Sequence, residues 1–141
     1  DGSTIYYKQE TGTDQVNAGG AVTAVIGTIT SGDFDITQKK STTGTVAGMP
    51  DLRGDGEFIM RISRFIPDFI SQTGNTQISF TTRDYPNSSG TTTNYSVDST
   101  TTKKDTRLRA RSIAMKVANT GSNENWKLGT FRLDIHPGGR R

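Results

Sequence analysis

Several stretches of this chain alternate apolar and polar side chains with a period of two, and none shows a sustained helical period. In Thr76–Arg83, Ile78 and Phe80 point one way and Gln77, Ser79 and Thr81 the other. Glu57–Ile66 sets Phe58, Met60 and Ile62 against Arg61 and Ser63. Trp126–His136 sets Phe131, Leu133 and Ile135 against Arg132, Asp134 and His136. A period of two places successive side chains on opposite faces of a strand, so each run can bury one face and wet the other.

Only 30% of the 141 residues are hydrophobic, and 16 are glycine. So thin an apolar supply still builds a core when each antiparallel strand commits a single face to it. The length suits one domain. About six to eight short strands separated by turn signals are expected, which makes an all-β, antiparallel β-sandwich of jelly-roll or immunoglobulin-like type.

Along the chain, Thr4–Lys8 is a short β-like run, and Ala21–Thr30 reads as a strand through Val22, Val25, Ile26 and Ile29. Residues 38–56 read as a polar, glycine-rich loop. Pro67-Asp68 ends the central strand, because proline removes a ladder donor. Ser71–Asn75 and Tyr85–Gly90 read as turns, and Phe65–Phe69 could make a single helical turn at most. Thr91–Thr102 is a weak edge strand running into a solvated loop. Thr106–Asn119 reads as one long strand that sets Arg107, Arg109 and Arg111 on the same side as Ile113, Met115 and Val117. Either a bulge shifts the register there, or the first half projects past the core. The domain division is residues 1–27, an N-terminal strand and linker, and residues 28–141, the sandwich.

The chain has no cysteine, so disulfides and thiolate metal sites are excluded. Its apolar runs are far shorter than a membrane-spanning helix needs. The segment opening at Asp1 lacks the pattern of a signal peptide, and the missing initiator methionine leads us to expect a fragment or a processed product.

Catalytic groups are scarce. His136 is the sole histidine, so any triad or histidine metal site would depend on it; a surface or interface role is the expectation. Asp33 and Asp35 flank Phe34 and so put two carboxylates on one side, a geometry open to calcium but more often a turn device. Asp51 and Asp55 make a second loose acidic pair. Arg53-Gly54-Asp55 spells an integrin-binding triplet, which in a glycine-rich loop reads as a tight turn. Tyr6, Tyr7, Tyr85, Tyr95 and Trp126 could stack on sugars, yet nothing in their spacing gathers them, and Trp126 reads as core. The chain is therefore expected to be no enzyme, with no catalytic, metal or cofactor site.

The charge pattern is more telling than the net charge of +3. Arg107, Arg109 and Arg111 line one strand face, and Arg132, Arg140 and Arg141 add basic groups near the end. Closely spaced like charges repel, so such a strip needs solvent or an acidic partner. These six arginines are the candidate interface. Contact with DNA phosphates is the less favoured use, because no aromatics interleave them.

Several segments in order resemble the C-terminal domain of virion tail proteins from short-tailed bacteriophages. They are Ile29-Thr30-Ser31-Gly32-Asp33-Phe34-Asp35-Ile36, Arg61-Ile62-Ser63-Arg64-Phe65-Ile66-Pro67-Asp68-Phe69, Thr82-Arg83-Asp84-Tyr85-Pro86, and Trp126-Lys127-Leu128-Gly129-Thr130-Phe131-Arg132-Leu133-Asp134-Ile135 closing on Gly139-Arg140-Arg141. The resemblance spans about residues 28 to 141. It implies a β-domain of a tail tube, nozzle or hub protein, located in the virion. Its partners would be other tail subunits in a homo-oligomeric ring, with no cofactor and no membrane. The rival expectation is a carbohydrate- or receptor-binding β-sandwich on a phage or bacterial surface.

Overall fold

The structure is a computed structural model that describes residues 14–17, 19–36, 58–85 and 88–140. The Thr4–Lys8 run, the Asp51 and Asp55 pair and the Arg53-Gly54-Asp55 triplet lie outside those residues.

The protein is all-β and antiparallel, and its described residues contain no helix. Eleven strands follow one another: β1 (Asp14–Val16), β2 (Val22–Ala24), β3 (Thr28–Thr30), β4 (Phe58–Ile66), β5 (Phe69–Thr73), β6 (Thr76–Arg83), β7 (Thr91–Val97), β8 (Lys104–Ala110), β9 (Ser112–Asn119), β10 (Asn125–Leu128) and β11 (Arg132–Arg140). A three-stranded sheet runs β11-β4-β8 and a four-stranded sheet runs β3-β9-β6-β7. Two ribbons, β1-β2 and β10-β5, extend from them.

The two larger sheets share one core. Met60, Ile62, Leu108 and Ala110 from the first meet Ile78, Phe80, Val97, Ile113 and Val117 from the second. Phe65 is fully buried at the centre, with ring centroids 5.5 Å from Phe80, 5.4 Å from Tyr95 and 5.6 Å from Phe131. Such aromatic contacts add to area burial, which matters in a chain this poor in apolar residues.

The long Thr106–Asn119 run is two strands, and the reason is a change of phase. Thr106, Leu108 and Ala110 are buried in β8, whereas Ile113 and Val117 are buried in β9. The even positions face the core before Arg111 and the odd positions after it. The chain therefore leaves one sheet at Arg111 and enters the other, and β8 packs on the core along its length instead of projecting past it. The arginines and Ile113 consequently face opposite ways.

Similar corners explain the other departures from expectation. Ser71–Thr73 is strand, not turn, because the Gln72 side chain is satisfied inside: it donates to Thr76 Oγ1 at 3.0 Å and to the Val97 carbonyl at 2.9 Å. The turn is confined to Gly74-Asn75, with Gly74 at φ +72°. Trp126–His136 breaks at Gly129, whose amide donates to the Asp68 carbonyl at 2.8 Å. A Cβ there would stand 2.8 Å from that same oxygen, so the close crossing requires glycine. Ala21–Thr30 splits into β2 and β3 around Val25–Gly27, and Phe65–Phe69 is extended apart from the step at Pro67-Asp68. Thr91–Val97 is the edge of the four-stranded sheet, as its composition suggests.

The β1-β2 hairpin lies within the expected 1–27 segment. Asp14 Oδ2 accepts a hydrogen bond from the Asn123 amide at 2.8 Å, joining the hairpin to the β9-β10 turn.

Candidate functional site

The outer face of the three-stranded sheet carries the charge. Antiparallel register puts directly opposed residues on one face, and the register here defines two cross-strand rows. In one row, Asp134 of β11 and Asp105 of β8 flank Arg64 of β4. Arg64 lies 3.0 Å from Asp105 and 3.8 Å from Asp134, so the one cation of this row is engaged by two carboxylates. The hydrogen bond and charge of Asp105, with a smaller lift from Asp134, hold the guanidinium above its already high ordinary pKa.

The neighbouring row does the opposite. His136, Arg61 and Arg109 stand in line across β11, β4 and β8. All three are exposed. Among the described residues, neither arginine has an ion-pair partner. Opposed Cβ atoms in such a pair stand about 4.5–5.5 Å apart, a spacing at which like charges destabilise the sheet. Arg61 and Arg109 thus carry an electrostatic cost that no ion pair among the described residues offsets.

The structure distributes the six predicted arginines unevenly. Arg107 and Arg109 share the outward side of β8, and Arg132 joins the same sheet face opposite Ile66. Ile66 is five residue steps along β4 from Arg61, so Arg132 stands roughly 16 Å from the basic row. Arg111 is half-buried at the sheet corner, not in line with the other two. Its amide donates to the Arg83 carbonyl at 3.1 Å, and its guanidinium carbon sits 5.9 Å from the centroid of the Tyr85 ring. Arg140 pairs through its backbone with Phe58, and Arg141 lies outside the described residues. Arg61, central to the face, is absent from the predicted set. Its outward position was legible, but its pairing with Arg109 depends on a register that one strand alone does not disclose.

The corner also builds a groove. The end of β6 delivers Asp84 and Tyr85 beside the β8 arginines, and the Arg83–Asp33 ion pair anchors that end. Asp33 is thus engaged by an arginine. Among the described residues no group of three or more histidine, cysteine, aspartate and glutamate side chains gathers to hold a metal. Ser88 fastens the turn beyond Tyr85: its hydroxyl donates to the Tyr85 carbonyl at 2.9 Å. The groove between this turn and β8 measures about 520 Å³. A second lobe of about 300 Å³, reaching Ile59 and Arg111, shares Asp84, Tyr85 and Arg109 as walls. Tyr85 is 67% exposed. Trp126, by contrast, packs against the core, edge-on to Phe69 at 6.4 Å.

Compared with known proteins, the chain matches no family model and no curated protein.

Proposed function

We propose that this domain is a non-enzymatic docking module that presents the outer face of β11-β4-β8 to an acidic protein surface. The setting we propose is the virion of a short-tailed bacteriophage, where the domain joins tail subunits to one another. The observation that carries the docking role is the contrast between adjacent rows. In one row Arg64 is engaged by two carboxylates, while the next opposes Arg61 to Arg109 with no counter-charge among the described residues. Carboxylates from a neighbour would relieve that repulsion and could pair bidentately with both guanidiniums. Arg107 and Arg132 on the same face extend the basic area. The order of the motifs ending in Trp126–Ile135 supports the phage setting. The sole histidine supports the non-enzymatic reading, because it stands in the basic row opposite Arg61, whose guanidinium cannot serve it as a proton acceptor.

The test is Arg61→Glu combined with Arg109→Glu. This variant keeps a like-charge pair, so the fold's own electrostatics change little, but it inverts the sign offered to a partner. Immunoblots of purified virions should show the wild-type chain incorporated and the double variant excluded, with both equally folded by circular dichroism. Normal incorporation of the double variant would overturn the docking role. Absence of the wild-type chain from particles would overturn the virion setting.

A further inference from the structure

We propose that the groove between Tyr85 and the β8 arginines binds an acidic saccharide, a ring of the uronic- or sialic-acid type. This site borders the docking face and shares Arg107 and Arg109 with it, but it is argued from the groove and does not rest on the docking role.

The groove's two lobes, about 520 and 300 Å³, fall within the range of small-molecule sites, roughly 300–1,000 Å³. Its walls make three different demands on an occupant. Arg107 and Arg109 are cations with no ion-pair partner among the described residues, and they call for a carboxylate. Asp84 is an acceptor-only group when ionised, and it calls for hydroxyl or amide donors. The exposed Tyr85 ring offers a flat apolar surface, and Arg111 lies against it. Thr91 adds a hydroxyl that can donate or accept along the rim, and the Ser88 hydroxyl, whose proton goes to the Tyr85 carbonyl, can accept.

A single acidic sugar meets all three demands. Its carboxylate pairs with the arginines, its hydroxyls donate to Asp84, and its C–H face lies on Tyr85. A carboxylate-rich peptide or a phosphodiester strand answers the arginines but sets further negative charge against Asp84. Asp84 therefore favours a polyhydroxylated anion over a purely anionic chain.

The experiment is a titration of the isotope-labelled full chain with D-glucuronic acid, N-acetylneuraminic acid, D-glucose, acetate and a glutamate-rich peptide, followed by amide chemical shifts. One of the two acidic sugars should shift Asp84, Tyr85 and Arg109 and bind about tenfold or more tighter than glucose or acetate, as paired contacts of this kind do. Tyr85→Ala and Asp84→Asn should each weaken that binding by about tenfold, the loss expected for central contact residues, with the spectrum otherwise intact. Equal binding of acetate or the peptide would overturn the proposal and assign the groove to protein carboxylates. No shifts with either acidic sugar would overturn it outright. Tyr85 and Asp84 lie outside the basic row, so Tyr85→Ala should leave virion incorporation normal, and the saccharide site and the docking role fail separately.

Discussion

Asn119 Oδ1 accepts a hydrogen bond from the Gly27 amide at 2.6 Å. The same side chain donates through Nδ2 to the Val25 carbonyl at 2.8 Å, and Asn119 is only 4% exposed. One amide group thus supplies both partners that a backbone segment between β2 and β3 would otherwise take from a strand.

Asn119→Ala should therefore cost about 2 kcal/mol, the loss of two hydrogen bonds with backbone groups left poorly satisfied. Asn119→Asp should cost at least as much at neutral pH, because it cannot donate to Val25 and it places a charge in a buried position. Urea midpoints check the magnitude. Hydrogen exchange checks the location: the Gly27 amide should lose protection in both variants, while β6 amides exchange only as far as global stability falls. Unchanged Gly27 protection would show that the clasp is incidental.

Arg61→Glu should raise stability and weaken docking at once. It replaces an opposed like-charge pair with an ion pair to Arg109, a gain of about 0.3–1 kcal/mol for an exposed cross-strand contact. The gain should fade in 1 M salt, where the screening length falls to about 3 Å. Thermal melts at low and high salt measure it. A loss of stability at low salt would mean that the Arg61–Arg109 repulsion is already relieved within the domain.

The alternation in β4 and β6 made the strands, the single buried faces and the antiparallel sandwich legible from the residues alone. Less legible was every place where the chain changes sheet. Thr106, Leu108 and Ala110 form an even-numbered apolar set, and Ile113 and Val117 an odd-numbered one. Read as one strand they conflict, and the conflict at Arg111 is the corner itself. Phe65 was missed for a related reason. It lies on the odd phase, whereas Met60 and Ile62 lie on the even, because the register shifts between Ile62 and Arg64. Gln72 was read as turn because a polar side chain in a strand looks solvated until its partners, Thr76 and Val97, are brought to it by the fold. Of the docking face, the basic strip on β8 was legible. The uncompensated row was not, since it depends on which residues three separate strands set side by side.

Phe65→Ala should cost about 3–5 kcal/mol, a large share of the roughly 5–15 kcal/mol that holds a domain together. The ring is fully buried and meets three other aromatics. Phe65→Leu, which keeps most of the volume, should cost about 1–2 kcal/mol and retain the fold. Denaturant unfolding of both variants checks the contrast. Equal, small losses would show that the aromatic cluster is looser than its ring spacings indicate.

Glu124 gives the fold a pH dependence with a definite sign. Its carboxylate accepts from the Thr120 amide at 2.7 Å, the Gly121 amide at 2.6 Å, the Asn75 amide at 3.2 Å and the Thr120 hydroxyl at 3.3 Å. These bonds, the Thr120 amide foremost, favour the charged form and hold its pKa below the ordinary carboxylate value. A pKa depressed by folding contributes stability that is fully present above the unfolded value, near 4.3. That contribution disappears as pH falls through the lower, folded-state value. Glu124→Gln keeps the shape but loses the charge, and should cost about 1 kcal/mol at neutral pH once solvent screening is allowed for. Paired urea titrations of wild type and variant should give a constant gap from neutral pH down to about pH 5, then a narrowing one in acid. Gly74 links this site to the β5-β6 turn, since a Cβ on it would stand 2.7 Å from Glu124 Cγ at a φ of +72°. Gly74→Ala should therefore both strain the turn and displace the carboxylate, and the acid-dependent part of its loss should vanish when Glu124 is already Gln. A pH-independent gap between wild type and Glu124→Gln would show that the loop is held by shape alone.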